Sequence, residues 1–136
     1  MASNKNLKAD SQSISTATGK MSAKNKRQLG SEMEVLAIKE LTQMGYEILE
    51  HSYRCRLGET DIVARDGAYL VFIEVKYRRT ASYGTPFEAV DYRKQQKIRM
   101  VAQYYLMEHH LSENTPVRFD AVGILGTNIT VIKNAF

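Results

Sequence analysis

Two apolar segments joined by a tight-turn signal constrain the fold more than any other feature of this sequence. The segments ETDIVAR (59–65) and AYLVFIEVKYR (68–78) are rich in β-branched and aromatic residues, and Asp66-Gly67 lies between them. Such a pattern predicts an antiparallel β-hairpin. Three acids and a lysine interrupt these otherwise apolar strands: Glu59, Asp61, Glu74 and Lys76.

The rest of the chain predicts an α/β fold with a mixed β-sheet flanked by helices, in the order αβββαββ. Apolar residues at helical spacing predict a first helix that begins near Arg27 and ends at Gly45. The other predicted elements are strands over 46–55, 117–125 and 129–133, a loop over 80–86 and a long helix over 86–110.

Composition separates a basic tail from a neutral domain. The net charge is +4, but residues 1–26 hold five of the 19 basic residues and one of the 15 acidic residues. Residues 27–136 therefore carry 14 of each sign. The tail is rich in Ser, Lys and Asn and has no aromatic residue, so we expect residues 1–26 to be disordered. We expect residues 27–136 to form one domain.

Several classes of protein are excluded by simple features of the chain. No apolar run approaches the roughly 18–20 residues that a membrane-spanning helix needs. Residues 1–20 lack the apolar segment of a secretory signal. The single cysteine, Cys55, excludes an intramolecular disulfide and a cysteine-cluster metal site. These features predict a cytoplasmic protein without membrane contacts.

The alternation of side chains along a strand decides which of the charged residues meet. A two-residue turn that begins at Asp66 pairs residues whose numbers sum to 133, which makes Glu74 a diagonal neighbour of Asp61. A turn one residue later makes the sum 135 and places Asp61 directly opposite Glu74. Both registers put Asp61, Glu74 and Lys76 on one face, within side-chain reach.

Two carboxylates at this spacing repel each other unless a cation lies between them. Mg²⁺ or Mn²⁺ suits such a pair, because Mg²⁺ takes oxygen ligands and retains waters or substrate phosphate. Lys76 can then position a water or stabilise charge on a phosphate oxygen, as metal-assisted phosphodiester hydrolysis requires. The alternative is a solvated strand face, on which Glu-x-Lys patterns are common.

Four motifs in this chain, GETDIVA, LVFIEVKYR, GTPFEAV and RFDAVGI, resemble the YraN-like proteins of bacteria in order and spacing. The segment GSEMEVLAIKELTQMGYEIL is similar to the first helix and strand of that family. The resemblance extends from Arg27 to Val131. The YraN-like family in turn resembles restriction-endonuclease-like folds, especially archaeal Holliday-junction resolvases, which use the PD-(D/E)xK arrangement.

This resemblance implies a restriction-endonuclease-like fold, with Asp61, Glu74 and Lys76 at the positions of the motif's catalytic residues. Asp61 and Glu74 would hold the Mg²⁺ or Mn²⁺ ion. Thr60 stands where the motif has proline. An acid on the first helix often joins such sites, which implies a role for Glu34, although a methionine precedes it where the pattern has glycine. Related resolvases act as dimers, so the resemblance also implies a homodimer.

Basic residues are concentrated in the middle of the chain. Residues 76–99 contain seven basic and two acidic residues in a domain that is neutral overall. Such an excess predicts phosphate contacts that are salt-dependent and largely independent of base sequence. The candidates for nucleic-acid binding are Lys94, Gln95, Arg78 and Arg79. A solvated helix face is the favoured interpretation for three others: Arg93, Lys97 and Arg99.

Three functions are compatible with these patterns. The first is a metal-dependent endonuclease that acts on DNA, with branched DNA among its candidate substrates. The second is a nucleic-acid-binding module that keeps a nuclease-like fold without catalysis. The third is a scaffold that binds another protein through a sheet edge or a dimer face. The polar residues gathered at one position of the hairpin favour the first two.

Overall fold

A five-stranded sheet and two helices make up the part of the computed structural model that is described, residues 25–80 and 91–136. This architecture confirms the predicted α/β class and the order αβββαββ. The elements are α1 (Lys26–Gln43), β1 (Glu47–Cys55), β2 (Gly58–Asp66), β3 (Tyr69–Arg78), α2 (Tyr92–Glu108), β4 (Val117–Leu125) and β5 (Asn128–Ile132).

The chain divides into two units, residues 1–31 and residues 32–136. In the described part of the first unit, Asn25 caps the start of α1. Its side chain accepts a hydrogen bond from the Gln28 backbone at 2.8 Å, and the Gln28 side chain accepts one from the Asn25 backbone at 3.2 Å. This reciprocal pair is a capping box, which satisfies two amides at the start of the helix. The predicted tail, residues 1–26, lies almost wholly outside the described residues.

The strands of the sheet lie in sequence order, β1-β2-β3-β4-β5. Neighbouring strands are antiparallel except for β3 and β4, which are parallel. Parallel neighbours cannot be joined by a tight turn. The connection from β3 to β4 contains α2 for this reason, and it brings that helix back over the sheet.

The turn between β2 and β3 selects one of the two registers that the sequence left open. Ile62 pairs with Ile73 and Asp66 pairs with Tyr69, so paired numbers sum to 135. The turn therefore begins at Gly67, whose φ of 62° is in the left-handed region that favours glycine. If this register continued past Ile62 and Ile73, the next two residues to face each other would be Asp61 and Glu74.

Each face of the sheet packs against one helix. On the first face, α1 contributes Ala37 and Leu41 to a core with strand residues from Ile62 to Ile124. On the second face, α2 contributes Ile98, Val101, Ala102 and Tyr105 to a core that includes Val63, Leu70 and Phe72. Alternate residues of β2 and β3 therefore belong to opposite cores, as the period of two requires.

The C-terminus of α1 is held by a Schellman motif. The Tyr46 amide donates to the Leu41 carbonyl and the Gly45 amide donates to the Thr42 carbonyl, both at 3.0 Å. Gly45 has a φ of 99° and takes the left-handed position that ends the helix. The helix therefore stops at the predicted glycine, and Tyr46 follows it into the core.

The start of α2 is later than the pattern predicts. The predicted helix begins at Pro86, whereas Asp91 has an extended backbone and its side chain accepts a hydrogen bond from the Lys94 amide. Asp91 is thus the N-cap, and the helix begins at Tyr92 because the capping carboxylate satisfies an amide of the first turn. Residues 86–90 of the predicted helix lie outside the described residues.

A buried polar network joins β4 to the end of α1. The carboxylate of Asp120 is fully buried and accepts hydrogen bonds from the Tyr46 hydroxyl at 2.7 Å and from the Arg118 guanidinium at 2.8 and 2.9 Å. Arg118 also pairs with Asp66 at 2.7 Å, and the Asn134 amide donates to Asp120 at 2.9 Å. These contacts give Asp120 a structural role. Among the described residues, no helix has the length and apolarity needed to cross a bilayer.

Asp120→Ala is expected to lower the free energy of unfolding by about 3–5 kcal/mol, because it leaves the Arg118 charge buried without its main partner. Urea denaturation monitored by circular dichroism measures the change. Glu59→Ala is the control, since Glu59 pairs with Arg54 at the surface with both side chains more than 60% exposed. That control is expected to change stability by less than about 1 kcal/mol. Equal effects of the two substitutions would contradict the importance of the network.

Candidate metal and phosphate site

Two carboxyl groups lie at the point where β2 and β3 separate. The last described pair of this ladder is Ile62 with Ile73, and Asp61 and Glu74 follow it on the two strands. The Asp61 Oδ2 atom accepts a hydrogen bond of 2.8 Å from the Val75 amide, which lies next to Glu74. A side chain thus replaces the backbone partner of the ladder and ties the two acidic positions together.

The Glu74 side chain is almost completely buried, with 5% of the residue exposed. Its Oε2 atom accepts a hydrogen bond of 3.2 Å from the Thr60 hydroxyl, and its Oε1 atom lies 3.4 Å from the Lys94 ammonium. Lys94 extends from the first turn of α2, which Asp91 caps. The helix therefore provides the positive charge that faces this acid.

The close approach of α2 depends on a glycine at the start of β2. Gly58 has a φ of 147°, and a Cβ atom at this position would lie 3.2 Å from Val101 and 3.8 Å from the Lys97 side chain. A larger residue would suffer both the backbone strain and the tight contact. Glycine at this position therefore lets the lysine-bearing face of α2 lie directly over the beginning of β2.

A third acid, Glu34, reaches the site from α1. Its Oε1 atom lies 2.8 Å from His51 Nε2 and accepts a hydrogen bond of 3.0 Å from the Ser52 hydroxyl, both on β1. The Glu34 carboxyl also lies close enough to Asp61 for its negative charge to raise the pKa of Asp61. Glu34, Asp61 and Glu74 therefore form a connected group of acids supplied by one helix and two strands.

Burial and mutual repulsion make Asp61 and Glu74 hard to ionise. The pKa of Asp61 is raised to about 8, mainly by burial and next by the negative charge of Glu74. Burial also raises the pKa of Glu74, although Lys94 and the Thr60 hydroxyl oppose the rise. A divalent cation beside both carboxyl groups would favour their charged forms and relieve this cost.

The donor set fits a hard divalent ion that is only partly held by protein. Among residues 25–80 and 91–136, no group of three or more His, Cys, Asp or Glu side chains could hold a metal ion by itself. Asp61 and Glu74 nevertheless supply carboxylate oxygens at one position, and Mg²⁺ is commonly bound by one or two carboxylates with waters and substrate phosphate. The pair therefore suits Mg²⁺ or Mn²⁺ with open coordination positions.

Both acids line a cavity of about 660 Å³. Five basic residues share its wall: Arg54, Arg56, Arg93, Lys94 and Lys97. Arg54 forms a 3.0 Å ion pair with Glu59, and Glu59 also lines the cavity. The cavity therefore combines a buried and a partly buried carboxyl group with a cationic rim, as a phosphate-bearing ligand that brings a metal ion would require.

The other predicted site residues are distributed unequally around this cavity. Lys76 is half-buried on β3, two residues after Glu74, and pairs with Gly123 of β4. Gln95 lies in the first turn of α2, where its amide donates to the Asp91 carbonyl. Arg78 and Arg79 lie at the end of β3, beside the turn between β4 and β5, where the Arg78 carbonyl accepts from the Gly126 amide. Of these four residues, none is among those that line the cavity.

Several contacts at the site were not visible in the sequence. Thr60, His51 and Ser52 contact the acids from neighbouring strands, and Arg54 and Arg56 enter the cavity wall from the end of β1. The only sequence signal was the alternation of basic residues around Cys55. Arg93 and Lys97, individually interpreted as solvated, are exposed and also line the cavity. Arg99 instead lies over the Phe119 ring, 4.7 Å from its centre.

Asp61→Asn is expected to stabilise the metal-free protein at high pH. An unfolded Asp ionises near pH 4, whereas folded Asp61 retains its proton until about pH 8. The unfolded state therefore binds fewer protons between these values, and stability falls as the pH rises through this window. At pH 9 in EDTA, the melting temperature of the variant should exceed that of the wild type by on the order of 5 °C. At pH 4 the difference should largely vanish; a constant difference would contradict the assigned burial of this acid.

Comparison with known proteins agrees with the resemblance that the motifs carry. The model of the uncharacterised protein family UPF0102 matches residues 33–124. A UPF0102 protein of Lachnoclostridium phytofermentans is 51% identical over 112 residues, which cover 82% of this chain and 95% of the relative. A UPF0102 protein of Caldicellulosiruptor saccharolyticus is 42% identical over 118 residues, covering 82% of this chain and 99% of the relative. One from Thermodesulfovibrio yellowstonii is 46% identical over 109 residues, covering 80% and 96%. The chain therefore belongs to the UPF0102 family, the YraN-like proteins that its motifs predict.

Proposed function

We propose that this protein is a metal-dependent endonuclease that hydrolyses phosphodiester bonds of DNA. The observation that carries the proposal is the pair of carboxyl groups, partly buried Asp61 and buried Glu74, in the wall of a cavity with a basic rim. The acids suit a divalent cation, and the rim suits the phosphates of a nucleic acid. Branched DNA is the substrate that the resemblance to resolvases suggests. A cytoplasmic homodimer belongs to the same proposal.

The roles of the residues follow from their chemistry. Asp61 and Glu74 would hold Mg²⁺ or Mn²⁺, which when bound would supply Lewis-acid stabilisation of charge on the phosphate. Lys76 would orient the attacking water. The water oxygen would form a bond to phosphorus as the bond to the leaving oxygen breaks. The attacking water would release a proton to solvent, and the leaving oxygen would take up a proton from solvent. Glu34 would assist through its contact with Asp61.

Lys94 has a second task in this scheme. Its ammonium neutralises Glu74 at 3.4 Å while its side chain remains more than half exposed. A long flexible side chain in this position can turn towards a phosphate oxygen once a cation takes over the charge of Glu74. Gln95, Arg78 and Arg79 remain candidates for more peripheral contacts with the nucleic acid.

The runner-up function is a nucleic-acid-binding module without catalysis. It is favoured by the same contact between Lys94 and Glu74, because a lysine already neutralises part of the acidic pair. The lack of a three-ligand metal group within residues 25–80 and 91–136 also favours it. This function predicts salt-sensitive DNA binding without metal-dependent scission.

Asp61→Ala and Glu74→Ala are each expected to reduce Mg²⁺- or Mn²⁺-dependent cleavage of DNA at least 100-fold, because each removes one of two carboxylate ligands. The measurement is strand scission of labelled linear and branched substrates with and without the metal ion. Glu59→Gln is the matched control, since Glu59 also lies on β2 and in the cavity wall but is exposed.

The control variant should cleave at close to the wild-type rate. Circular dichroism must show that all variants fold. Cleavage that survives either alanine substitution, or that needs no metal ion, contradicts the mechanism. DNA binding without scission by the wild type supports the binding module instead. Failure to bind DNA at low salt would favour a scaffold that binds another protein.

The double substitution Arg93→Ala and Lys97→Ala is expected to weaken DNA binding and to flatten its salt dependence. Each lost phosphate contact reduces the slope of log K against log salt by about 0.9 on duplex DNA. Fluorescence anisotropy at several salt concentrations measures the slope. Lys133→Ala is the control, because Lys133 pairs with Asp66 and does not line the cavity. An unchanged slope in the double variant would show that this rim does not contact phosphates.

A further inference from the structure

We propose that His51 and Ser52 are positioning residues that hold the Glu34 carboxyl group beside Asp61 and thereby strengthen metal binding. This inference rests on the proposed function, because it assigns β1 a role at the same site. It concerns two residues that the sequence patterns did not single out for any function. Three features of the structure support this role: two contacts on one oxygen atom, a strained backbone and the pairing of β1 with β2.

The two contacts converge on a single atom. Glu34 Oε1 lies 2.8 Å from His51 Nε2 and 3.0 Å from the Ser52 hydroxyl. Two donors on one oxygen restrict rotation of the carboxyl group about its last bond. The same carboxyl group is a charged neighbour of Asp61 and acts on its pKa, so its orientation affects the acid that would bind the metal ion.

The geometry of a regular strand could not produce this convergence. Successive side chains of a strand point to opposite faces of the sheet, so neighbours such as His51 and Ser52 should diverge. Glu34 belongs to α1, which packs on one face only. Both neighbours nevertheless contact the same Glu34 oxygen, so the alternation is broken between them.

The break coincides with an unusual backbone conformation at Ser52. Its φ is 60°, in the left-handed region that residues other than glycine seldom adopt. The ladder continues on both sides, with His51 paired to Ile62 and Tyr53 paired to Thr60. The distorted residue therefore lies across from Asp61, where β1 passes the site.

The identity of residue 52 supports a role for its hydroxyl group. Glycine would adopt the left-handed conformation without strain, and asparagine would adopt it more readily than serine. Strained residues persist where the surroundings hold them, often at functional sites. Serine at this position accepts a backbone cost and supplies a donor to Glu34, which glycine could not do.

The test compares metal binding and stability in matched variants. Ser52→Gly removes the hydroxyl group and relieves the strain, so it should fold at least as stably as the wild type. His51→Ala removes the other donor, whereas His51→Gln retains an N–H donor in a similar place. Calorimetric titration with Mn²⁺ measures the affinity, and thermal unfolding measures stability.

The expected result is a loss of at least tenfold in Mn²⁺ affinity for Ser52→Gly and for His51→Ala, the range typical of residues that orient metal ligands. His51→Gln should bind within about threefold of the wild type. His110→Gly controls for relief of backbone strain, because His110 has a φ of 56° on a turn that does not line the cavity. It should leave Mn²⁺ affinity unchanged.

The outcomes separate this inference from the proposed function. If the wild type binds Mn²⁺ and both Ser52→Gly and His51→Ala bind it equally well, the positioning role is wrong while the metal site stands. If the wild type itself does not bind Mn²⁺, with or without a non-cleavable DNA, the proposed function is wrong and this inference is overturned with it. Weakened binding in the two variants with restored binding in His51→Gln supports the role.

Discussion

The pairing of β2 with β3 is the constraint on which the rest of this structure depends. Because side chains alternate with a period of two, a single register decides at once which residues enter each core and which meet at the candidate site. The observed register buries Ile62 and Ile73 against α1 and Val63 and Phe72 against α2. The same register places two carboxyl groups together where the ladder ends. A slip of one residue would exchange the cores and disperse the acids.

Placing Asp61 and Glu74 close together carries an electrostatic cost that the surrounding structure tolerates. Burial and repulsion raise the pKa of Asp61 to about 8, and the only compensation among the described contacts is a backbone amide, a hydroxyl group and one lysine. By contrast, Asp120 is fully buried but is held by Arg118, Tyr46 and a backbone amide. The fold supplies Asp120 with enough hydrogen-bond and charge partners, whereas Asp61 and Glu74 keep an electrostatic cost. That difference is what an acid kept for a ligand would show.

Three elements approach this pair from different directions. The helix α2 brings Lys94 against Glu74 because Gly58 leaves room for its close approach. The helix α1 brings Glu34, and β1 supplies the two donors that contact it. The site is therefore supported by both helices and three strands, although only one short hairpin carries the two carboxyl groups that suit a metal ion.

The sequence by itself determined the element order and the hairpin that carries Asp61, Glu74 and Lys76, because these depend on local periodicity and turn chemistry. It also determined the family, through motifs spread over most of the chain. It left two registers open, because the turn residues permit either. It predicted a second helix from Pro86 rather than from Tyr92, because the apolar pattern begins before the N-cap Asp91. Only the tertiary structure decided that Thr60, His51 and Ser52 contact the acids and that Arg78 and Arg79 do not line the cavity. Those contacts join residues distant in sequence, and the left-handed backbone at Ser52 breaks the very alternation on which sequence reasoning relies.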